Sequence, residues 1–440
     1  MKLLKSKLQL SVFVLIIIAI GLTAVSWNLN WTGNKWNGII KSDGKGYYAY
    51  LPAVFIYNDL NFGFFEEIEK EKYYDELIYY DYRSSFNNKA INKYYCGTSL
   101  AQLPFFLTAH FLSGYCGCDS DGYSKTYQIF INLAALFYLI IGLFFLSKTL
   151  KLFGIKESNI SFILITSVFA TNLFYYVVCE PAMSHVYSFA FVSIFVFYSK
   201  KLFETQNLKI IPIIAVSLGM IVLIRPVNVL AVFLWPFLAG NYAVVIQTLR
   251  ALIKSKFKFI YSSALFAAII SIQLIIYKIS TGNYFVYSYG TESFNFMSPS
   301  ISDILFSYKK GLFIYTPVFL VSFAGCYYLY KISRFSCISF MIFFAFITYI
   351  FSSWWMWYYG GSFSSRVYIE FIPVFMILLA IALQYSRSIK VKVSLVSIIA
   401  VLILLCQIQT YQYRYYKIHW SDMTKELYWE EFLRLDRLIK

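Results

Sequence analysis

Apolar runs of about 20 residues recur from one end of this chain to the other, and they limit its possible folds more than any other feature. A helix needs roughly 20 residues to cross ~30 Å of hydrocarbon. Backbone N–H and C=O groups find no water there, so a spanning segment has to satisfy them internally. Such runs lie near 8–27, 127–147, 159–178, 182–199, 210–224, 227–246, 259–277, 311–330, 335–353, 368–386 and 393–410. Only 14% of the 440 residues are charged, whereas a soluble protein carries about a quarter. The expected fold class is an all-α polytopic membrane protein with about 11 transmembrane helices, forming one unit over 1–440.

The net charge of +16 raises the question of a nucleic-acid partner, and its placement answers it. With eleven spans, the connections 1–7, 148–158, 200–209, 247–258, 331–334 and 387–392 share one side. They hold 18 Lys and Arg, with only Glu157 and Glu204 against them. The remaining 20 basic and 20 acidic residues balance on the other side. Excess positive charge in short loops marks the cytoplasmic face, so the N-terminus is expected in the cytoplasm and the C-terminus outside, in a plasma (inner) membrane with an exterior or periplasmic face. The charge reports orientation, and no nucleic acid is expected. The first apolar run is read as a retained helix, not a cleaved signal peptide, because its core is long and no A-x-A-like site follows.

Three exterior segments stand out. The longest, 28–126, holds "SDGKGYYAYLP", an acidic patch "FFEEIEKEKYYDEL" at 64–77 that reads as helical, and "LAQLPFFLTAHFL" at 100–112. The last is too short to span comfortably and reads as an amphipathic helix on the membrane surface. Loop 278–310 is rich in Tyr, Phe, Ser and Gly, and 352–371 contains "WWMWYYGG" and Arg366. The tail 411–440 is expected on the outer surface. Cys96, Cys116 and Cys118 also fall outside; a disulfide among them is possible, though ordinary thiols are the favoured reading.

The sequence carries no P-loop, His-Glu-x-x-His, Gly-x-Ser-x-Gly or Rossmann glycine fingerprint. With His110, His185 and His419 as the only histidines, no metal site is expected. Asp-x-Asp in "CDSDGYS" (118–124) reads as a turn, since Asp, Ser and Gly form turns. What remains is a group of ionisable residues at the outer ends of spans, where charge is costly and points to function. Asp43 lies in the first loop, Glu180 and His185 in "CEPAMSH", and Arg225 in "IRPVN"; Lys309 and Lys310 precede one span and Arg366 another. Each has an ordinary alternative, such as a snorkelling Arg or a helix-end Lys. Together, cations and a few acids on one face suit a phosphate and a proton acceptor. Tyr47, Tyr48, Lys93 and Trp357 are the candidates to line such a site.

The arrangement resembles the GT-C superfamily of multi-spanning glycosyltransferases, of the protein-mannosyltransferase and aminoarabinose-transferase kind. The likeness lies in "SDGKGYYAYLP" after the first span, "NKYYCGTSLAQLPFFLTAHFL" later in that loop, and "WWMWYYGGSFSSRVYIEFIPVF" near the end. It implies a polyprenyl-phosphate sugar as donor substrate, a glycan, lipid or protein acceptor, membrane lipids as surroundings, and no further cofactor. Asp43 would be the general base, with Glu180 and His185 as further catalytic candidates. Arg225, Arg366, Lys309 and Lys310 would hold the donor phosphate, and the glycines beside Asp43 would let the backbone close on substrate. Many relatives have a second acid beside the first, where this chain has Gly44; those that use a metal add acids and a soluble exterior domain. A metal-independent, inverting transfer is therefore the expectation. The rival is a transporter, flippase or polymerase for lipid-linked glycans, which would place polar residues through the middle of several spans. Here mid-span positions are mostly apolar. A purely structural membrane protein would leave the aromatic loops and the ring of charges unexplained.

The charge pattern is testable directly. Reporter fusions after residues 155, 205, 254 and 390 are expected to read cytoplasmic, and fusions after 60, 290 and 425 exterior. An exterior signal at 205 would put the charged residues on two faces.

Overall fold

The structure is a computed structural model that describes residues 9–437 apart from Leu77 and Cys116. The basic segment 1–7, Cys116 and the last three residues of the tail lie outside the described residues. Among the described residues, seven helices are long and apolar enough to cross a membrane: Leu10–Trp31, Lys125–Leu152, Ser184–Thr205, Lys256–Thr281, Arg334–Ser352, Arg366–Tyr385 and Ile389–Arg414. Large apolar side chains such as Phe13, Ile20, Ile260, Ile342 and Leu404 stand exposed on their outer faces. A soluble surface would not tolerate this much contiguous greasy area. The chain is a multi-pass helical membrane protein.

The other four expected spans are shorter apolar helices: Glu157–Phe169, Leu208–Ile224, Pro226–Ala239 and Val318–Ile332. Local chemistry accounts for the breaks. Pro226 pushes the residue before it out of the helical region, and Arg225 is extended there (φ −149°, ψ 110°). The expected span 227–246 ends at Gly240, which is left-handed at φ +78°, and a separate helix, Tyr242–Lys254, follows. Pro317 interrupts 311–330 in the same way, leaving Leu312–Tyr315, Val318–Ser322 and Ala324–Ile332.

One helix organises the rest. Ile372–Tyr385 is buried along nearly its whole length and packs against Glu157–Phe169, Ser184–Thr205, Val318–Ser322 and Ala324–Ile332. A single turn, Arg366–Phe371, leads into it, so whatever that turn carries is held by the middle of the molecule. Close packing depends on Gly325, where an added Cβ would lie 2.0 Å from the Leu378 carbonyl oxygen. Small residues at such crossings let two backbones approach.

The segment 28–126 is folded over one end of this bundle. Helix Asp43–Phe55 begins at the acid itself, which suits the positive end of a helix. Gly44 and Gly46 let Ala182 and the Tyr94 ring approach within 2.8 and 2.3 Å of where a Cβ would be. The glycines beside Asp43 therefore serve packing inside the protein; the expectation that they close on substrate is corrected. The acidic patch winds for only one π-helical turn, Glu66–Lys72. Helix Gly97–Ser113 forms over "LAQLPFFLTAHFL", with Leu107 and Phe111 exposed on its outer side. Between them lies an unforeseen antiparallel hairpin, Arg83–Phe86 with Lys89–Asn92, pairing Arg83 to Asn92 and Phe86 to Lys89. Its two-residue turn, Asn87-Asn88, has φ of 50° and 60°, the conformation a tight hairpin needs and Asn tolerates. The Asp-x-Asp segment is a turn: Asp121 accepts from the Tyr123 and Ser124 backbone N–H groups, and Lys72 pairs with Asp119 and Asp121 at 2.7 and 2.8 Å. Cys96 is a free, buried thiol.

Replacing Gly325 with Ala is expected to lower the thermal midpoint of the detergent-solubilised protein, because overpacking costs about 1–3 kcal/mol. Gly21→Ala, with nothing within 4 Å of the added carbon, is the control. Equal midpoints for the two variants would refute this packing role.

Candidate active site

A cavity of ≈ 720 Å³ lies where the segment 28–126 and the later loops meet the helix ends. Its wall draws on Asp43 and Tyr47, on Lys93 and Tyr94 after the hairpin, and on Tyr175 and Glu180 before Ser184–Thr205. Arg225, Tyr289, Trp354, Tyr359 and Arg366 complete that side. Tyr413, Arg414, Tyr416 and Trp420, from the end of the last long helix and the tail, close the remainder. Arg414 fastens this closing segment to the first helix, donating to the Leu29 carbonyl and Asn30 Oδ1 at 3.3 Å each.

Its central contact joins the two ends of the sequence. Arg366 Nη2 donates to Asp43 Oδ2 at 2.6 Å, and both side chains are partly shielded, at 13% and 19% exposure. Burial alone would raise the Asp43 carboxyl, but Arg366, a Tyr94 hydrogen bond and Lys93 outweigh it and hold the group below its ordinary 3.8. The pair's contribution to stability is therefore present above the ordinary carboxylate range and is lost as pH falls through the lowered value.

Arg225 is held from behind. Its Nη1 donates to Glu370 Oε1 at 3.0 Å, and His185 Nδ1 lies 3.0 Å from the same oxygen and 3.2 Å from Arg225 Nη1. With a proton, Nδ1 donates to Glu370; without one, it accepts from Arg225. Glu370 is fully buried and His185 1% exposed, so they form a layer behind the wall and only Arg225 reaches the cavity. An uncompensated guanidinium at this depth would be costly, and Glu370 offsets it.

Six of the residues singled out from sequence thus share the wall: Asp43, Tyr47, Lys93, Glu180, Arg225 and Arg366. The other five stand outside it. His185 lies behind Arg225. Tyr48 is fully buried, its hydroxyl donating to the Gly122 carbonyl. Lys309 sits 3.6 Å above the Tyr358 ring. Lys310 donates to the Ser362 carbonyl and lies over the Tyr413 ring; burial lowers its pKa to about 7, against the pull of Glu180. Trp357 packs beside Tyr358. Sequence reading missed Glu370, although a carboxylate inside an apolar span, two residues into the expected 368–386, is itself a signal of function. It also passed over Lys41, Tyr94 and Arg414. Among the described residues, no three His, Cys, Asp or Glu side chains cluster as a metal site would require.

No family model matches the chain, and no curated protein matches it. Among solved structures it is similar to the archaeal oligosaccharyltransferase AglB from Archaeoglobus fulgidus, in complex with an inhibitory peptide and a dolichol-phosphate. The TM-score is 0.46 at 10% identity, over 96% of this chain and 57% of that one. A likeness this distant assigns neither fold nor chemistry.

Glu370→Gln keeps the size of the side chain and removes the charge that faces Arg225. The expected result is a loss of about 3–5 kcal/mol in stability, as for breaking a buried pair, read as a lower thermal midpoint in detergent. An unchanged midpoint would mean that Arg225 does not depend on Glu370.

Proposed function

We propose that this protein is a membrane glycosyltransferase of the GT-C type that moves a sugar from a polyprenyl-phosphate donor to an acceptor hydroxyl at its expected exterior face. One observation carries the reading: a single aromatic-walled cavity brings a carboxylate, Asp43, together with two guanidinium groups, Arg225 and Arg366. The cations suit a phosphate, because Arg offers a planar fork of donors to its oxygens. The carboxylate suits a hydroxyl proton.

In this reading the acceptor oxygen attacks the anomeric carbon while Asp43 takes its proton. The bond from that carbon to the phosphate oxygen breaks, and its electrons leave with the phosphate, where Arg225 and Arg366 meet the growing charge. Direct displacement inverts the anomeric centre. Arg366 engages one Asp43 oxygen, but a carboxylate has about four lone-pair sites and keeps room for the incoming hydroxyl. A phosphate that competes for Arg366 would also loosen the pair and make Asp43 a better base. The guanidinium groups supply the positive charge, so transfer is expected to proceed in the presence of a chelator.

The test is transfer from radiolabelled polyprenyl-phosphate sugars in membranes. Asp43→Asn keeps the shape but not the basicity, and turnover is expected to fall ~10²–10⁴-fold while donor binding persists. Asp303→Asn, at an exposed position, is the control. If Asp43→Asn turns over donor like wild type, Asp43 is not the base. If wild-type membranes move the lipid-linked sugar across but form no glycosidic bond, the protein is a transporter.

A further inference from the structure

The mechanism leaves one part of the cavity without a task. Beside the Asp43–Arg366 pair, the wall also carries Glu180 with Lys41, Tyr175 and Tyr413 around it, and Trp420 elsewhere on the lining. Glu180 is displayed there because Pro181 follows it and disfavours helix at the residue before; the next helix starts at Ser184. Its side chain is 8% exposed. One oxygen, Oε1, accepts from the Tyr175 hydroxyl at 3.0 Å and lies 3.9 Å from Lys41 Nζ. The other, Oε2, is shielded and has no hydrogen-bond partner. A buried acceptor with no partner costs free energy and calls for an explanation. A volume of ≈ 720 Å³ also lies in the ~300–1,000 Å³ range that takes a drug-sized ligand, beyond the needs of one phosphate and one hydroxyl.

We infer that Glu180 is a specificity residue that binds the hydroxyls of a neutral sugar ring, with the aromatic side chains beside it receiving the ring's apolar face. The inference rests on the glycosyltransferase reading for its place in the reaction, though the binding itself does not. A carboxylate with spare acceptor capacity recognises O–H donors, and a small turn of the side chain brings its second oxygen to one. Tyr and Trp present flat apolar faces with polar edges. The Tyr175 and Tyr413 rings meet edge to face at 5.1 Å, which fixes them as a wall. Trp420 is half exposed, and Gly361 stands beside it, where an added Cβ would lie 3.5 Å from the indole; the absence of a side chain keeps the face of the wall open.

Charge selects among sugars. Lys41 already offsets Glu180, and the Arg414 guanidinium lines the same region. An amino sugar would bring a further cation against those already around Glu180, Lys310 among them, and a uronic acid would bring a second carboxylate against Glu180. A neutral hexose meets neither penalty. This role differs from that of a catalytic base. Glu180 would act on binding of the sugar, whereas Asp43 would act on the proton.

The test uses full-length protein in lipid nanodiscs and needs no turnover. Saturation-transfer NMR is measured with methyl glucoside, galactoside and mannoside, a methyl aminohexoside and a methyl hexuronide; binding of a short isoprenyl phosphate is measured separately. At least one neutral hexoside is expected to bind wild type, and Glu180→Gln is expected to bind it roughly 10- to 100-fold more weakly, the worth of a hydrogen bond to a charged group. Isoprenyl-phosphate binding should stay within a few-fold of wild type in the same variant, which also shows that it is folded. Phosphate binding without any neutral hexoside signal would overturn the inference and leave the glycosyltransferase reading standing. Tighter binding of the aminohexoside or the uronide would overturn the choice of a neutral ring. An equal loss of hexoside and phosphate binding in Glu180→Gln would reduce Glu180 to a holder of Lys41 and overturn the inference. Hexoside binding that depends on Glu180, with no isoprenyl-phosphate binding, would support this site and remove the donor assigned above.

Discussion

The contact between Arg366 and Asp43 spans 323 positions of sequence, and the architecture around the cavity is built so that it can form. Arg366 opens the turn that leads into the most deeply buried helix, and Asp43 opens the helix that lies over the end of the bundle. Both charges are largely withdrawn from water, so separating them would leave each with a desolvation cost and no counter-charge. The segment 28–126 is thereby held against the transmembrane core by the same two groups that the proposed chemistry would use. Gly44 and Gly46 belong to this arrangement. They bring the Asp43 helix close enough to Ala182 and Tyr94 for the carboxylate to reach the guanidinium.

Stability and reactivity pull in different directions here. An ion pair at 2.6 Å keeps Asp43 ionised, which a base requires, but it also lowers the carboxylate's affinity for a proton. In the proposed reaction a phosphate ligand would relieve the conflict by drawing on Arg366. Arg225 has no such difficulty, because its counter-charge, Glu370, lies in the layer behind the wall. One cation is shared with Asp43 and the other is braced by Glu370. In the proposed reaction the pair would therefore divide the work of sensing the phosphate and holding it.

Much of this could be read from the chain before any coordinates. Long apolar runs announced the membrane helices, and ionisable residues at their ends located four residues of one wall, Asp43, Glu180, Arg225 and Arg366. Prolines explain much of the rest: Arg-Pro at 225–226 and Glu-Pro at 180–181 each turn a charged side chain out of a helical run, a signal readable in two letters. Lys309 and Lys310 show the limit, because whether a lysine faces a cavity or a buried carbonyl depends on tertiary packing that a helix-end position does not encode. The hairpin at 83–92 was missed although Asn-Asn between two short polar strands carries its turn. Glu370 was hidden by its apolar neighbours, and its partners are 185 and 145 residues away.

The wall of the cavity is finished by Tyr413, Arg414, Tyr416 and Trp420, all near the end of the chain. Ribosomes make these residues after Asp43, Arg225 and Arg366. A nascent chain can therefore insert most of its helices and bring Asp43, Arg225 and Arg366 into the membrane before the chamber can close. A message broken upstream of Tyr413 would yield a product with the charged groups in place and one side open to water. Competence would come only after residues 413–420 are made, so a chain interrupted before them would be inserted without being able to act.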